Sequence, residues 1–154
     1  MIHASLGGRL PVLQLLAGDG ADLNRGDNLG STVLHDAVRF NVHDSLRFHL
    51  QSGVNVYQKL RNGKSILHVL AEVGDQTTMQ IFLESAQNGV DRLNVDDTDD
   101  RGRTAMEYLG RRRDPDEVFE LFQLVLQRVL VAKFHCLGKL EEVRLSGMLS
   151  RGRS

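Results

Sequence analysis

Gly30-Ser31-Thr32-Val33-Leu34-His35-Asp36-Ala37 returns 33 residues later as Gly63-Lys64-Ser65-Ile66-Leu67-His68-Val69-Leu70. The same spacing relates Asn41 to Gly74 and Leu46 to Met79, so the repeat reaches well past the motif itself. A fixed period of this length marks a chain made of stacked supersecondary units, each unable to bury its apolar face alone. With 154 residues, 41% of them hydrophobic, the chain has room for about four units and enough apolar surface for one continuous core.

Within a unit the periodicity is helical. Thr32, Ser65 and Thr104 each stand just before an apolar run, where a hydroxyl can accept a hydrogen bond from an orphan backbone N–H and start a helix. The first helix of the second unit is expected from about Val33 to Phe40. Asn41 closes it, being a residue that tolerates the left-handed conformation, and Gly8 and Gly74 hold the corresponding place. Second helices follow on Val12, Leu13, Leu15 and Leu16, then on Leu46, Phe48 and Leu50, then on Met79, Ile81, Phe82 and Leu83. These stripes are expected to face the neighbouring unit. Gly20-Ala21-Asp22-Leu23-Asn24 and Gly53-Val54-Asn55-Val56 make glycine-containing exits.

A Gly-x-Thr/Ser-x-Leu-His core at this period, with these exits, resembles the ankyrin repeat family. The resemblance implies an all-α fold, an ankyrin-repeat solenoid of stacked antiparallel helix pairs with little regular strand. It makes His35 and His68 structural, tying each turn to the next unit, where their residue type alone invites a metal or catalytic reading. The implied function is protein–protein interaction: a scaffold that binds a protein or peptide on a concave surface of turn tips and first helices. Side chains there vary freely because they do not hold the stack. By position, the tips are Asn28, Leu29 and Ser31, then Arg61, Asn62 and Lys64, then Asp100, Arg101 and Arg103. The first helices would add Asp36, Arg39 and Phe40, then Val69, Glu72 and Val73, then Tyr108, Arg111 and Arg112, with Phe40 and Tyr108 as aromatic anchors. A second expectation is a structural segment of a larger ankyrin-repeat protein with no binding of its own.

The units are expected at about 1–26, 27–59, 60–98 and 99–126, leaving 127–154 as the end of a terminal helix and a basic tail. Met1 falls on the leucine of the first Leu-His pair, so that unit lacks its turn and cap, which reads as a fragment of a longer array or a gene model starting inside one. Gly102 comes 39 residues after Gly63, and the extra residues are placed in a loop between Ser85 and Asp100. The fourth unit carries Glu107 where the histidine would be. Its second helix opens on Asp114 as N-cap, Pro115 and the capping-box Glu117, then presents Val118, Phe119, Leu121, Phe122, Val125, Leu126, Val129 and Leu130 on one face. Terminal repeats are expected to be atypical. From Lys133 to Ser154 there is no repeat match, and a frayed tail is expected.

Composition narrows the function further. Nineteen basic against twenty acidic side chains give a net charge of −1, without the positive excess that nucleic acid calls for. The balance is uneven: residues 1–126 carry 13 basic and 18 acidic groups, residues 127–154 carry 6 and 2. A lone Cys136 forms no internal disulfide or CxxC pair, and neither a secretory pattern nor an apolar run long enough to span a bilayer is present. An intracellular, cytoplasmic or nuclear monomer that touches neither membrane nor nucleic acid is expected.

No catalytic residue, cofactor or metal is expected either. His135-Cys136 lacks a neighbouring carboxylate to orient it. Asp96-Asp97-Thr98-Asp99-Asp100-Arg101-Gly102 mimics a calcium loop, but aligning Gly102 with the loop glycine puts Tyr108 where a bidentate Glu is required. An acidic loop in solvent is expected instead. Arg111-Arg112-Arg113, flanked by Asp114 and Asp116, fits a helix end, where cations complement the macrodipole, with contact to an acidic or phosphorylated partner as the sharper reading. His49 stands where the family has a buried Leu and is expected to be a local weak point.

Overall fold

The computed structural model describes residues 10–85, 90, 93–113 and 116–132. Among the described residues the regular elements are helices, accompanied by an isolated antiparallel bridge between Thr98 and Thr104. The helices are α1 (Leu10–Gly18), α2 (Val33–Arg39), α3 (His43–Gln51), α4 (Ile66–Val73), α5 (Gln76–Glu84), α6 (Ala105–Leu109) and α7 (116–132). Gly8, Asp114, Pro115 and the tail from Lys133, with His135 and Cys136, lie outside the described residues.

The hydroxyl residues start the helices as expected. Thr32, Ser65 and Thr104 take extended backbone angles as the N-caps of α2, α4 and α6. The third helical residue reaches back in each case: the Nδ1 atoms of His35 and His68 accept the N–H of Thr32 at 3.3 Å and of Ser65 at 3.1 Å. Glu107 Oε2 accepts the N–H of Thr104 at 2.7 Å. The glutamate that breaks the motif therefore performs the same capping task as the histidine it replaces.

Helix closure divides the two units. Asn41 is left-handed, with φ 51°, but Gly74 is not: its φ is −60°. Glycine is needed at position 74 for space, since a Cβ there would stand 2.6 Å from the Leu70 carbonyl oxygen.

Equivalent helices pack on one another. Helix α2 lies against α3 and α4, α4 against α6, α1 against α3 and α3 against α5. One core runs through these contacts, from Leu34, Ala37 and Val38 through Leu46, Leu67, Leu70, Met79 and Phe82 to Leu109. Helix α7 closes it with Val118, Phe122, Val125 and Val129, a stripe at helical spacing. Fully burying each such side chain contributes about 1.5–3 kcal/mol.

Three expectations about the stripes need correction. Leu13 is buried in α1, whereas Val12 and Leu15 are 40% and 65% exposed, and Phe119 of α7 is 40% exposed. A helix packed on a core buries a stripe rather than its whole apolar set. The insertion is more than a solvent loop, because Val90 and Leu93 are buried and join the core.

Polar side chains also tie the units together. Asn41 Nδ2 donates to the Val73 carbonyl at 3.1 Å, while its Oδ1 accepts the Asp75 N–H at 3.0 Å and the Thr78 hydroxyl at 2.9 Å. Beside it, His43 Nε2 lies 2.9 Å from the carboxylate of Asp75, which caps α5 through the Thr78 N–H at 2.7 Å. Among the described residues no helix is long and apolar enough to cross a membrane.

Candidate partner-binding face

Three turns of like construction precede α2, α4 and α6. Their glycines, Gly30, Gly63 and Gly102, have φ of 76°, 77° and 71°, a conformation open to glycine at little cost. Each glycine N–H bonds the carbonyl three residues back, on Asp27, Leu60 and Asp99. In the outer two turns the acid at that position also holds the backbone with its side chain. Asp27 Oδ1 accepts from the N–H groups of Leu29 and Ser31, both at 2.8 Å, and Asp99 Oδ1 from those of Arg101 and Arg103, at 3.0 and 2.9 Å.

Successive turns are joined by backbone. The Arg61 N–H donates to the Leu29 carbonyl at 2.9 Å, and the Asp100 N–H to the Asn62 carbonyl at 3.0 Å. His68 adds a side-chain link. Because its Nδ1 accepts from Ser65, its Nε2 carries the proton and donates to the Arg103 carbonyl at 2.9 Å. His35 is placed alike but does less: Nε2 is buried without a partner at normal hydrogen-bond geometry, and the backbone of Gln58 is what faces it. Burial first, and then the nearby Arg39 charge, lowers the His35 pKa to about 4. Burial alone does the same for His49, whose ring sits edge-on to Phe48.

The expected binding residues separate by their place in the turn. The two residues before each glycine are exposed in all three turns: Asn28 and Leu29, Arg61 and Asn62, Asp100 and Arg101. Nine residues after it, Arg39, Glu72 and Arg111 reach solvent, with Phe40 exposed and Val73 and Arg112 half-buried one position further on. Six residues after it, Asp36, Val69 and Tyr108 are all buried, at 4%, 2% and 6% exposure: Asp36 is bonded to Ser31, Val69 joins the core, and Tyr108 lies against His68, Lys64 and Arg103. These three do not belong to an open surface.

The position just after the glycine is covered as well, since it turns towards that buried site. Ser31 is fully buried and donates from its hydroxyl to Asp36 Oδ1 at 2.9 Å, and burial raises the Asp36 pKa. Lys64 and Arg103 show only 14% and 17% of their side chains. They lie against the Tyr108 ring, 4.3 and 4.5 Å from its centroid. Tyr108 is thus no free anchor: its hydroxyl donates to Asp99 Oδ2 at 2.5 Å and accepts from Arg103, and its ring meets His68 edge-on.

Asp99 also departs from the expected solvent loop. It is 7% exposed, and although burial pushes its carboxyl up, hydrogen bonds from Tyr108, Arg103 and Arg101 outweigh this and hold it well below the usual carboxylate range. Neighbouring Asp97 pairs with Lys59 at 3.0 Å. Of the arginine cluster, Arg112 bonds the Ala71 and Gly74 carbonyls at 3.2 and 2.8 Å, so it complements the end of α4 in the preceding unit. Among the described residues, no group of three His, Cys, Asp or Glu side chains is placed to hold a metal ion.

No family model matches the chain, and no curated protein matches it.

Proposed function

We propose that the chain is an ankyrin-repeat solenoid acting as a non-catalytic interaction module, binding a protein or peptide on its turn-and-first-helix face inside the cell. One observation carries this reading most directly. The stack is joined at its tips by main-chain bonds from Arg61 to Leu29 and from Asp100 to Asn62, so the side chains of these residues are spared that task. Asn28, Leu29, Arg61 and Arg101 consequently form an exposed edge of mixed chemistry that can change without loss of the fold, beside Asn62, whose Oδ1 accepts the Lys64 N–H at 3.2 Å. The equivalent packing of α2, α4 and α6 supports the same assignment.

The test begins with a partner captured from extract on the full chain and titrated against single variants. Leu29 and Phe40 are 64% and 56% exposed, so they qualify as anchors that the fold does not need. Leu29→Ala and Phe40→Ala should each weaken binding by more than about 1 kcal/mol. Arg47→Ala and Gln80→Ala, on exposed positions of the second helices, should leave affinity unchanged. Losses confined to Arg47→Ala and Gln80→Ala would move the function to the other face and overturn the proposal.

A further inference from the structure

A cleft of about 530 Å³ opens between the third and fourth units, its walls including Lys64, Glu72, Arg101, Arg103, Tyr108 and Arg111. Arg112, Asp99 and Asp100 also line it, which makes five cationic side chains against three carboxylates. The internal pairing is uneven. Asp99 is held by Arg103 at 2.9 Å and Glu72 by Lys64 at 2.7 Å. Among the described residues, the side chains of Arg101 and Arg111 take part in no ion pair or hydrogen bond, and both are exposed.

We infer that this cleft receives an acidic, Asp/Glu-rich peptide segment of the protein partner, with Arg101 and Arg111 as the groups that meet its carboxylates. The inference rests on the interaction-module reading and names the chemistry of the partner. Arg101 and Arg111 belong to different elements, the turn before α6 and the segment after it, so they address charges spread along a segment. A nucleic-acid strand fits less well: three carboxylates share the cleft, and of the tips beyond it Asn28 and Leu29 are uncharged while Arg61 adds a single cation. One cation at the neighbouring tip is not the basic stripe along the described turns that a phosphate backbone would follow.

Glu72 supplies a check of opposite sign. Its side chain is 43% exposed while its partner Lys64 is 14% exposed, so the outer member of this pair is the carboxylate. An incoming acidic side chain meets that negative charge at the cleft wall. Removing it should favour binding, whereas a merely structural pair would give no gain.

The probe is a fluorescein-labelled peptide of alternating glutamate and serine, followed by anisotropy with the full chain at low salt. A twin with glutamine for glutamate and a labelled single-stranded oligonucleotide serve as alternatives. The glutamate peptide should bind and its twin should not. Charge reversal at Arg101 and Arg111 together (Arg101→Glu, Arg111→Glu) should weaken binding about tenfold, and Glu72→Gln should tighten it about threefold. Raising the salt should weaken it, as for exposed charges. Equal binding of the twin, indifference to the double reversal, weaker binding by Glu72→Gln, or tighter binding of the oligonucleotide would each overturn the inference. The parent reading fails separately. If the captured partner responds to Leu29→Ala and Phe40→Ala while the peptide ignores Arg101 and Arg111, only the acidic-segment inference is lost.

Discussion

His68→Ala should lower the stability of the chain by about 3 kcal/mol, read as a fall in the urea midpoint. The side chain is fully buried and serves three polar partners: the Ser65 N–H at 3.1 Å, the Ser65 hydroxyl at 2.8 Å and the Arg103 carbonyl at 2.9 Å. Truncation orphans the N–H at the start of α4, which costs about 1–3 kcal/mol, and takes one of two donors from the carbonyl of the next turn, which keeps the Asp99 N–H at 3.0 Å. Edge contact with Tyr108 is lost as well. His68→Gln should recover part of the loss, because an amide can still reach back to the cap as Glu107 does for Thr104. An unchanged midpoint for His68→Ala would contradict the linking role given to this residue.

Acidification from pH 7 to pH 5 should have an effect of similar size. His35 and His49 are neutral in the folded chain, with pKa values lowered from 6.5 to about 4 by burial, Arg39 adding to the effect at His35. Unfolding returns both to the ordinary value, so the unfolded chain binds more protons and stability falls with falling pH. The contribution is fully present above about pH 6.5 and is lost between there and about pH 4. At pH 5 the two together should have removed on the order of 3 kcal/mol, with Asp36, raised by burial, offsetting a part. Asp75 and Asp99 are held low by their hydrogen bonds and remain charged across this range. The measurement is the urea midpoint at the two pH values, with His49→Leu expected to halve the difference. A midpoint independent of pH would contradict the buried neutral state of these rings.

What the sequence revealed and what it hid follow from the range of the interactions. Caps at Thr32, Ser65 and Thr104 and turn glycines at 30, 63 and 102 are local features, each decided by a few neighbouring residues, and they were legible. Burial of Asp36, Val69 and Tyr108 was not, because it depends on how the turns and neighbouring side chains pack around each position. Comparing the three as one recurring position held the signal: a valine at the middle member fits poorly with an open polar surface. Asp99 was misread for a related reason. Its acidic neighbours set the composition of the segment, but its own environment is made by Tyr108, nine residues along. The side-chain bonds of Asn41 to Val73, Asp75 and Thr78 likewise escape a reading in which Asn41 serves only to end a helix. Gly74 shows the converse, a glycine matched to Asn41 by period yet required by the closeness of Leu70 rather than by a left-handed turn.

Amide hydrogen exchange on the full chain, alone and saturated with its captured partner, tests the proposed binding face most directly. If the turn edge carries the function, exchange should slow at residues 28–31, 61–64 and 100–103 and along the exposed ends of α2, α4 and α6, while the outward positions of α3 and α5 around Arg47 and Gln80 remain as they were. Protection centred on α3 and α5, with the three turns unchanged, would contradict the account.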